Sequence, residues 1–398
     1  MESSVKETTK FNNLPRWWEP QAAYVHVPFC AHHCCYCDFA VVEGRDQLAD
    51  RYLDALEREI ADCRPTAHTQ PGSPAPVESI FIGGGTPTHL SVSQLQRLLK
   101  LLRSHFQLAP DYEFSIEANP ASLDDCKIDA LAQHGVNRVS LGAQAFQTHV
   151  LRILERDHDA STVRSAVERI HRRIANVSLD LIFGVPGQTL EQWAADLRQA
   201  VELNPSHLST YGLTYEKGTR LWKDREHGKI IPLDEELERD MYALAMDELA
   251  AAGFEHYEIS NFARPGFRSR HNQVYWANEA YFGFGLGAAR YIRGRREVNT
   301  RDLEAYIRKA LAGESAVQQS EELSPEERAR ETAVVQLRRA EGIDRAAYTR
   351  QTGFELDALV GPAIEKNRAS GLLVDDGVRV CLSREGKFLA DGVCSDLL

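Results

Sequence analysis

From Ala22 to about residue 220 the chain alternates short apolar runs with longer stretches whose apolar residues recur at helical spacing. The apolar runs cover 24–29, 79–83, 113–117, 138–144, 177–183 and 208–214. Helical patterns at 48–63, 92–105, 123–134, 161–174 and 190–203 precede the second to sixth of these, and a shorter helical piece, 148–156, follows the fourth. Strands that are apolar almost throughout need cover on both faces, so the alternation predicts an α/β fold: a parallel sheet packed by helices. Six such units predict an open or partial (β/α)6 barrel. Folds of this kind gather chemistry at the C-terminal ends of the strands.

Beyond Tyr215 the pattern changes. A helix is predicted over 235–252 and a strand over 255–259, followed by a stretch rich in glycine and aromatic residues through Tyr291. Residues 314–325 read as a linker. After it come helices at 326–340, 345–351 and 358–370, strands at 373–375 and 378–382, and a last helix from Arg384. Helices followed by a two-stranded wing predict a C-terminal winged-helix-like domain. The predicted organisation is an N-terminal extension (1–21), a barrel core (22–220), an extension (221–313) and the C-terminal domain (314–398). A chain of 398 residues exceeds what one core organises. Residues 65–76, rich in Pro, Gly, Ser and Thr, read as a surface loop. A net charge of -12 argues against nucleic acid as a partner. With no apolar signal region and no apolar run long enough to span a bilayer, the expected location is the cytoplasm, without a transmembrane segment.

Four of the eight cysteines crowd into Cys30, Cys34, Cys35 and Cys37, directly after the first strand. Such crowding in a cytosolic chain points to a metal site. The spacing Cys30-x3-Cys34-x2-Cys37 lets one loop wrap three corners of an iron–sulfur cubane and leave the fourth iron open. The alternative is zinc held by Cys34, Cys37 and His32 or His33, although no second Cys-x2-Cys pair completes it. Cys35 reads as a spare thiol beside the ligands.

Other polar or small residues end the later strands. The run Phe81-Ile-Gly83-Gly84-Gly85-Thr86 offers close backbone approach and amides for an anionic group. Glu117, Gln144 and Asp180 stand at or near the ends of the next three strands, and Arg156 follows the short helical piece. Polar groups on buried strands are costly unless paired, so each is a satisfied core hydrogen bond or part of a ligand ring.

Taken together, these residues resemble the radical SAM superfamily, in the branch that holds oxygen-independent coproporphyrinogen III oxidase and the heme chaperone HemW. The resemblance runs from Tyr24 to the C-terminus. It implies a [4Fe–4S] cluster on Cys30, Cys34 and Cys37. It also implies S-adenosylmethionine (SAM) lined by Tyr24, Tyr36, Gly84, Gly85, Thr86, Glu117, Gln144, Arg156 and Asp180. Cluster reduction would then cleave SAM to a 5′-deoxyadenosyl radical, the hard chemistry being the cofactor's. The oxidase has a further cysteine two residues after the third ligand, where this chain has Phe39. The run Arg270-His271-Asn272-Gln-Val-Tyr275-Trp276 is similar to the HNxxYW signature of the HemW branch. As a heme site, His271 would ligate iron, Tyr275 and Trp276 would stack on the macrocycle, and Arg268 or Arg270 would pair with propionates. The alternative is that His271 and Asn272 hydrogen-bond a buried loop while the aromatics fill core.

The expected function is a heme chaperone that passes heme to an acceptor protein such as a membrane-associated cytochrome. The alternative is a radical enzyme acting on a porphyrinogen.

Overall fold

The computed structural model describes residues 16–62 and 76–398. The expected 65–76 loop, apart from Pro76, and residues 1–15 of the expected N-terminal extension lie outside the described residues.

The expected strands form, each with a period-two split. In order they are β1 (Ala22–Val27), β2 (Val77–Gly84), β3 (Leu108–Ala118), β4 (Arg138–Gln144), β5 (Asn176–Phe183) and β6 (His207–Gly212). One face of each is apolar: Ala23, Val25, Ile80, Ile82, Phe114, Ile116, Val139, Leu141, Val177 and Leu179 are all fully buried. These residues pack against helices in one continuous core. The helices are α1 (Ala49–Asp62), α2 (Val92–His105), α3 (Asp125–Gln133), α4 (Thr148–Ile153), α5 (Ala160–His171) and α6 (Leu190–Glu202). Local chemistry starts several of them. Ser91 and Thr189 each close a capping box, with Gln94 and Gln192, which satisfies the first amides of α2 and α6. The leucines 95, 98, 99 and 102 then line the buried face of α2, each contributing on the order of 1.5–3 kcal/mol.

The opposite strand face is polar. Parallel register sets Phe81 beside Ser115 and Ser115 beside Arg138, then Glu117 beside Ser140 and Ser140 beside Ser178. One layer further along, Gly142 lies beside Asp180 and Asp180 beside Ser209. One cavity takes its walls from the loop after β1 through to β6, so the sheet curls around its polar face as a partial barrel.

The expected six strands are part of a larger sheet. Among the described residues it has nine strands in the order β9-β1-β2-β3-β4-β5-β6-β8-β7, where β7 is Glu255–His256, β8 is Asn261–Ala263 and β9 is Phe282–Phe284. Strand β9 pairs parallel with β1, and β8 pairs antiparallel with β6. The segment 221–313 is therefore woven into both edges of the same sheet. It also carries α7 (Arg220–Glu226), α8 (Glu235–Ala251), α9 (Arg270–Trp276) and α10 (Leu303–Leu311). Its β10 (Ala289–Ile292) and β11 (Arg295–Asn299) form a three-stranded meander with β12 (Val317–Glu322). Strand β12 occupies the stretch expected as a linker. It is exposed over almost its whole length, so no buried alternation marks it in sequence.

The C-terminal part has its own core around Leu337, Tyr348, Leu356, Val360 and Val393. It comprises α11 (Pro325–Leu337), β13 (Ile343–Asp344), α12 (Arg345–Thr352), α13 (Leu356–Ala369), β14 (Leu373–Asp375), β15 (Arg379–Leu382), α14 (Arg384–Phe388) and α15 (Ala390–Asp396). Its three strands pair in the order β13-β15-β14. No helix of the described residues is long and apolar enough to cross a membrane.

Candidate functional site

The cysteine loop is braced before any metal enters. Residues Phe29–Cys30 form a short parallel bridge with Val42–Glu43, and the Val42 amide donates to Pro28 O at 2.8 Å. A turn in which Cys37 N donates to Cys34 O at 3.1 Å brings the second and third thiols onto one side. Cys30, Cys34 and Cys37 all line the cavity, whose volume is about 910 Å3. That size is toward the upper end for a ligand pocket.

The next strand presses on this loop. Gly85 N donates to Val27 O at 2.8 Å and Thr86 N to Phe29 O at 2.9 Å. A Cβ on Gly85 would lie 2.7 Å from Pro28 O and 2.9 Å from Cys30 Sγ. Gly84 has φ +115°, and a Cβ there would meet the His26 ring at 2.5 Å. The glycines thus serve close packing. The expectation that their amides wait for an external anion is not met, because Gly84 N donates to Glu117 Oε2 at 2.9 Å, Gly85 N to Val27 O and Thr86 N to Phe29 O.

Burial pushes the Cys30 thiol up to about 11, against the opposing hydrogen bond from Thr86, and it raises Cys37 as well. Cys30 and Cys37 are therefore protonated in the chain alone, and binding a cluster must release protons. Their donor set fits iron–sulfur chemistry. Among the described residues no three Cys, His, Asp or Glu side chains converge as one ion would require. His33 Nε2 is bonded to Cys37 O and His32 Nε2 to Glu155 Oε2, so neither ring joins the thiols at a zinc centre. Cys35 points the other way, donating to Ile153 O at 3.3 Å inside an apolar cluster with Val150, Leu154 and Leu221.

Eight of the other expected cofactor residues line the cavity: Tyr36, Gly84, Gly85, Thr86, Glu117, Gln144, Arg156 and Asp180. Burial lifts the Glu117 carboxyl to about 7, and it raises Asp180 too. Asp180 accepts from Ser209 Oγ at 2.7 Å, from Ser140 Oγ at 3.0 Å and from Ser178 Oγ at 3.5 Å. Arg156 donates through Nη1 to Cys34 Sγ at 3.3 Å and through Nη2 to Gly142 O at 3.2 Å, while its buried Nε has no partner. Gln144 holds φ +63°, a left-handed conformation that a non-glycine residue adopts at a cost on the order of 1 kcal/mol. Two carboxylates, an incompletely bonded guanidinium and three soft donors in one cavity suit a ligand with both cationic and anionic groups, such as SAM.

Tyr24 and His271 are the expected cofactor residues that do not line the cavity. Tyr24 bonds His26 Nδ1 at 3.0 Å and stacks on Phe81 one layer below. His271 is 1% exposed, with Nδ1 bonded to Ser79 Oγ at 3.0 Å and Nε2 to Tyr275 OH at 2.9 Å. Neither nitrogen is free for heme iron. The α9 helix that carries it plugs the N-terminal end of the barrel, where Glu113 accepts from the amides of Arg270 and His271. Tyr275 packs edge-on against Tyr281. Arg270 is paired with Asp111, and Arg268 with Glu255 and Glu341. The reading of the HNxxYW run as buried packing is the one this geometry fits. In this structure both His271 nitrogens, Arg268 and Arg270 already have partners, so heme ligation by His271 would require the Ser79 or Tyr275 bond to break.

Three cavity residues carry no signal that the sequence reading used. Tyr211 faces inward two positions after Ser209, a periodicity visible once β6 is placed. Asn119 and Lys127 reach the cavity from a loop and a helix start, where no periodicity points. Phe39 lines the cavity with 62% of its surface exposed.

Residues 24–200 match the Radical SAM superfamily, and residues 323–389 match the HemN C-terminal domain. The chain is 36% identical to the heme chaperone HemW of Bacillus subtilis over 375 residues, covering 94% of this chain and 98% of that one. It belongs to the HemW family. A second HemW, from Lactococcus lactis, is 36% identical over 96% of this chain and 98% of its own length. The HemW of Escherichia coli is 37% identical over 68% of this chain and 69% of its own. The solved structure of coproporphyrinogen III oxidase (HemN) from Escherichia coli, a radical SAM enzyme, superposes with TM-score 0.83 at 26% identity, over 96% of this chain and 91% of that one. This chain thus shares the overall architecture of that structure.

Proposed function

We propose that this chain is a heme chaperone whose cavity also holds a [4Fe–4S] cluster and SAM. The observation that carries the reading is the near full-length identity to heme chaperones, together with Phe39 at the cavity mouth. An exposed phenylalanine there suits an apolar macrocycle face and supplies no thiol for porphyrinogen decarboxylation. Cys30, Cys34 and Cys37 would hold the cluster. Glu117 and Asp180 would face the cationic part of SAM, and Arg156 its carboxylate. When bound, the cluster supplies one-electron chemistry. The protein's part is to orient SAM and to keep water from it with the walls formed by Gly84 and Gln144. The acceptor would be a protein such as a membrane-associated cytochrome.

After anaerobic reconstitution, heme titration should give a Soret band, and transfer to an apo-acceptor should deplete it. Phe39→Asp should weaken heme binding roughly tenfold, the loss expected for exchanging a buried aromatic contact for a charge. Absence of a Soret band in the wild type would sink the proposal. The likeness to the HemN structure supports a second reading, oxidation of a porphyrinogen. Release of 5′-deoxyadenosine and carbon dioxide from SAM, reductant and coproporphyrinogen III would favour that one.

A further inference from the structure

The cavity wall is predominantly acidic. It includes Asp38, Glu117, Asp124, Glu155, Asp157, Asp180 and Glu216, against two Lys or Arg side chains, Arg156 and Lys127. Arg156 is drawn to Cys34, so it stands beside the cluster loop. Lys127 stands on another wall, at the start of α3. Its Nζ donates to Thr88 O at 2.6 Å and to Ser122 O at 2.9 Å. It forms no ion pair among the described residues. The Asp124 side chain next to it is turned to the Lys127 backbone amide as the helix cap. Burial lowers the lysine's pKa, with Asp124 opposing.

An ammonium has three N–H donors, and two of these are fixed on carbonyls. The flexible side chain is therefore already ordered, and the entropy lost when lysine binds a ligand is largely spent in folding. Among the described residues the remaining donor bonds no carboxylate, and Asp124 acts on the charge only through space. Among seven acidic side chains, an anionic ligand group is best placed near one of the two cations.

We infer that Lys127 is a carboxylate-binding residue of the cavity, and that the carboxylate it takes is a propionate of the bound porphyrin. This rests on the heme-chaperone reading. The chemistry is shared with SAM, which also carries a carboxylate. Arg156 beside Cys34 suits a carboxylate near the cluster, which leaves Lys127 for the macrocycle.

The test uses the full chain, reconstituted anaerobically, as wild type, Lys127→Gln and Lys127→Arg. Affinities are measured for heme, for heme dimethyl ester and for SAM, with iron per chain as the folding control. The wild type should bind heme at least about tenfold more tightly than its dimethyl ester, the usual scale for a charge-assisted hydrogen bond. Lys127→Gln should erase that preference and leave SAM affinity unchanged, and Lys127→Arg should restore most of it. If the glutamine variant loses SAM affinity and keeps the preference for the free acid, the carboxylate is SAM's and the propionate assignment is overturned. If it changes neither, Lys127 is only a brace between two loops and the inference fails. Should the glutamine variant not fold, equal wild-type affinity for acid and ester is by itself enough to overturn it. A wild type that binds neither form removes the chaperone reading, and the SAM measurement then decides Lys127 alone.

Discussion

At Gly85 the absence of a side chain decides whether a cluster can be held. A methyl group there would sit closer to the Pro28 carbonyl and the Cys30 sulfur than non-bonded atoms come, and a backbone carbonyl cannot swing aside as a flexible side chain can. Gly85→Ala should displace the cysteine loop and reduce iron and sulfide per chain to less than half of wild type after reconstitution. Gly392→Ala, on α15 with open space around it, is the matching control and should change nothing. Equal iron in both variants would show that the loop tolerates the shift. The cluster ligands were legible because their chemistry lies in contiguous sequence. The engagement of the Gly84 and Gly85 amides was not, because their acceptors, Glu117 and Val27, come from other strands.

Element by element, legibility follows length and burial. Strand β4 and helix α2 have the expected limits, since each shows a long uninterrupted apolar period. Strand β9 and helix α9 were missed as elements because three and seven residues are too few to display a period. The cost of that miss was functional. Read as a loop, the HNxxYW run looks like a ligand set; as a helix it holds its imidazole between Ser79 and Tyr275. Its imidazole gives a test by pH. Burial, with Arg138 adding to it, lowers His271 to about 3, below the ordinary value of 6.5. Between those values the unfolded chain binds a proton that the folded chain refuses. The stabilisation is therefore present above pH 6.5 and is lost as pH falls. From pH 7 to pH 5 this group alone should cost about 2 kcal/mol, so His271→Gln should lose less stability over that interval than wild type. Parallel losses in urea titrations of both proteins would mean that the imidazole titrates freely, against the burial seen here.

Over the whole molecule, the C-terminal part is joined to the barrel through α9. Gln351 Nε2 donates to Ala277 O at 2.9 Å and to Asn278 O at 3.3 Å, and Gln336 Nε2 donates to Ala277 O at 3.2 Å. Ala340 N donates to Tyr257 O at 2.9 Å beside them. Apolar contact adds to these bonds, since Ile259 packs on both cores and Phe388 packs on the barrel core, edge-on against Tyr242. Gln351→Leu should strip carbonyls at the end of α9 of a donor, at a cost of about 1–3 kcal/mol. It should also split thermal unfolding so that the C-terminal part melts first. A single, unshifted transition would place the strength of the junction elsewhere. The plug at the foot of the barrel has one more consequence. With α9 at that end, the exposed Phe39 and the cysteine loop stand on the cavity wall together, so a ligand seated there lies against the loop. A protein that took heme from this cavity would meet that loop, and the state of the loop would then belong to the surface it touches.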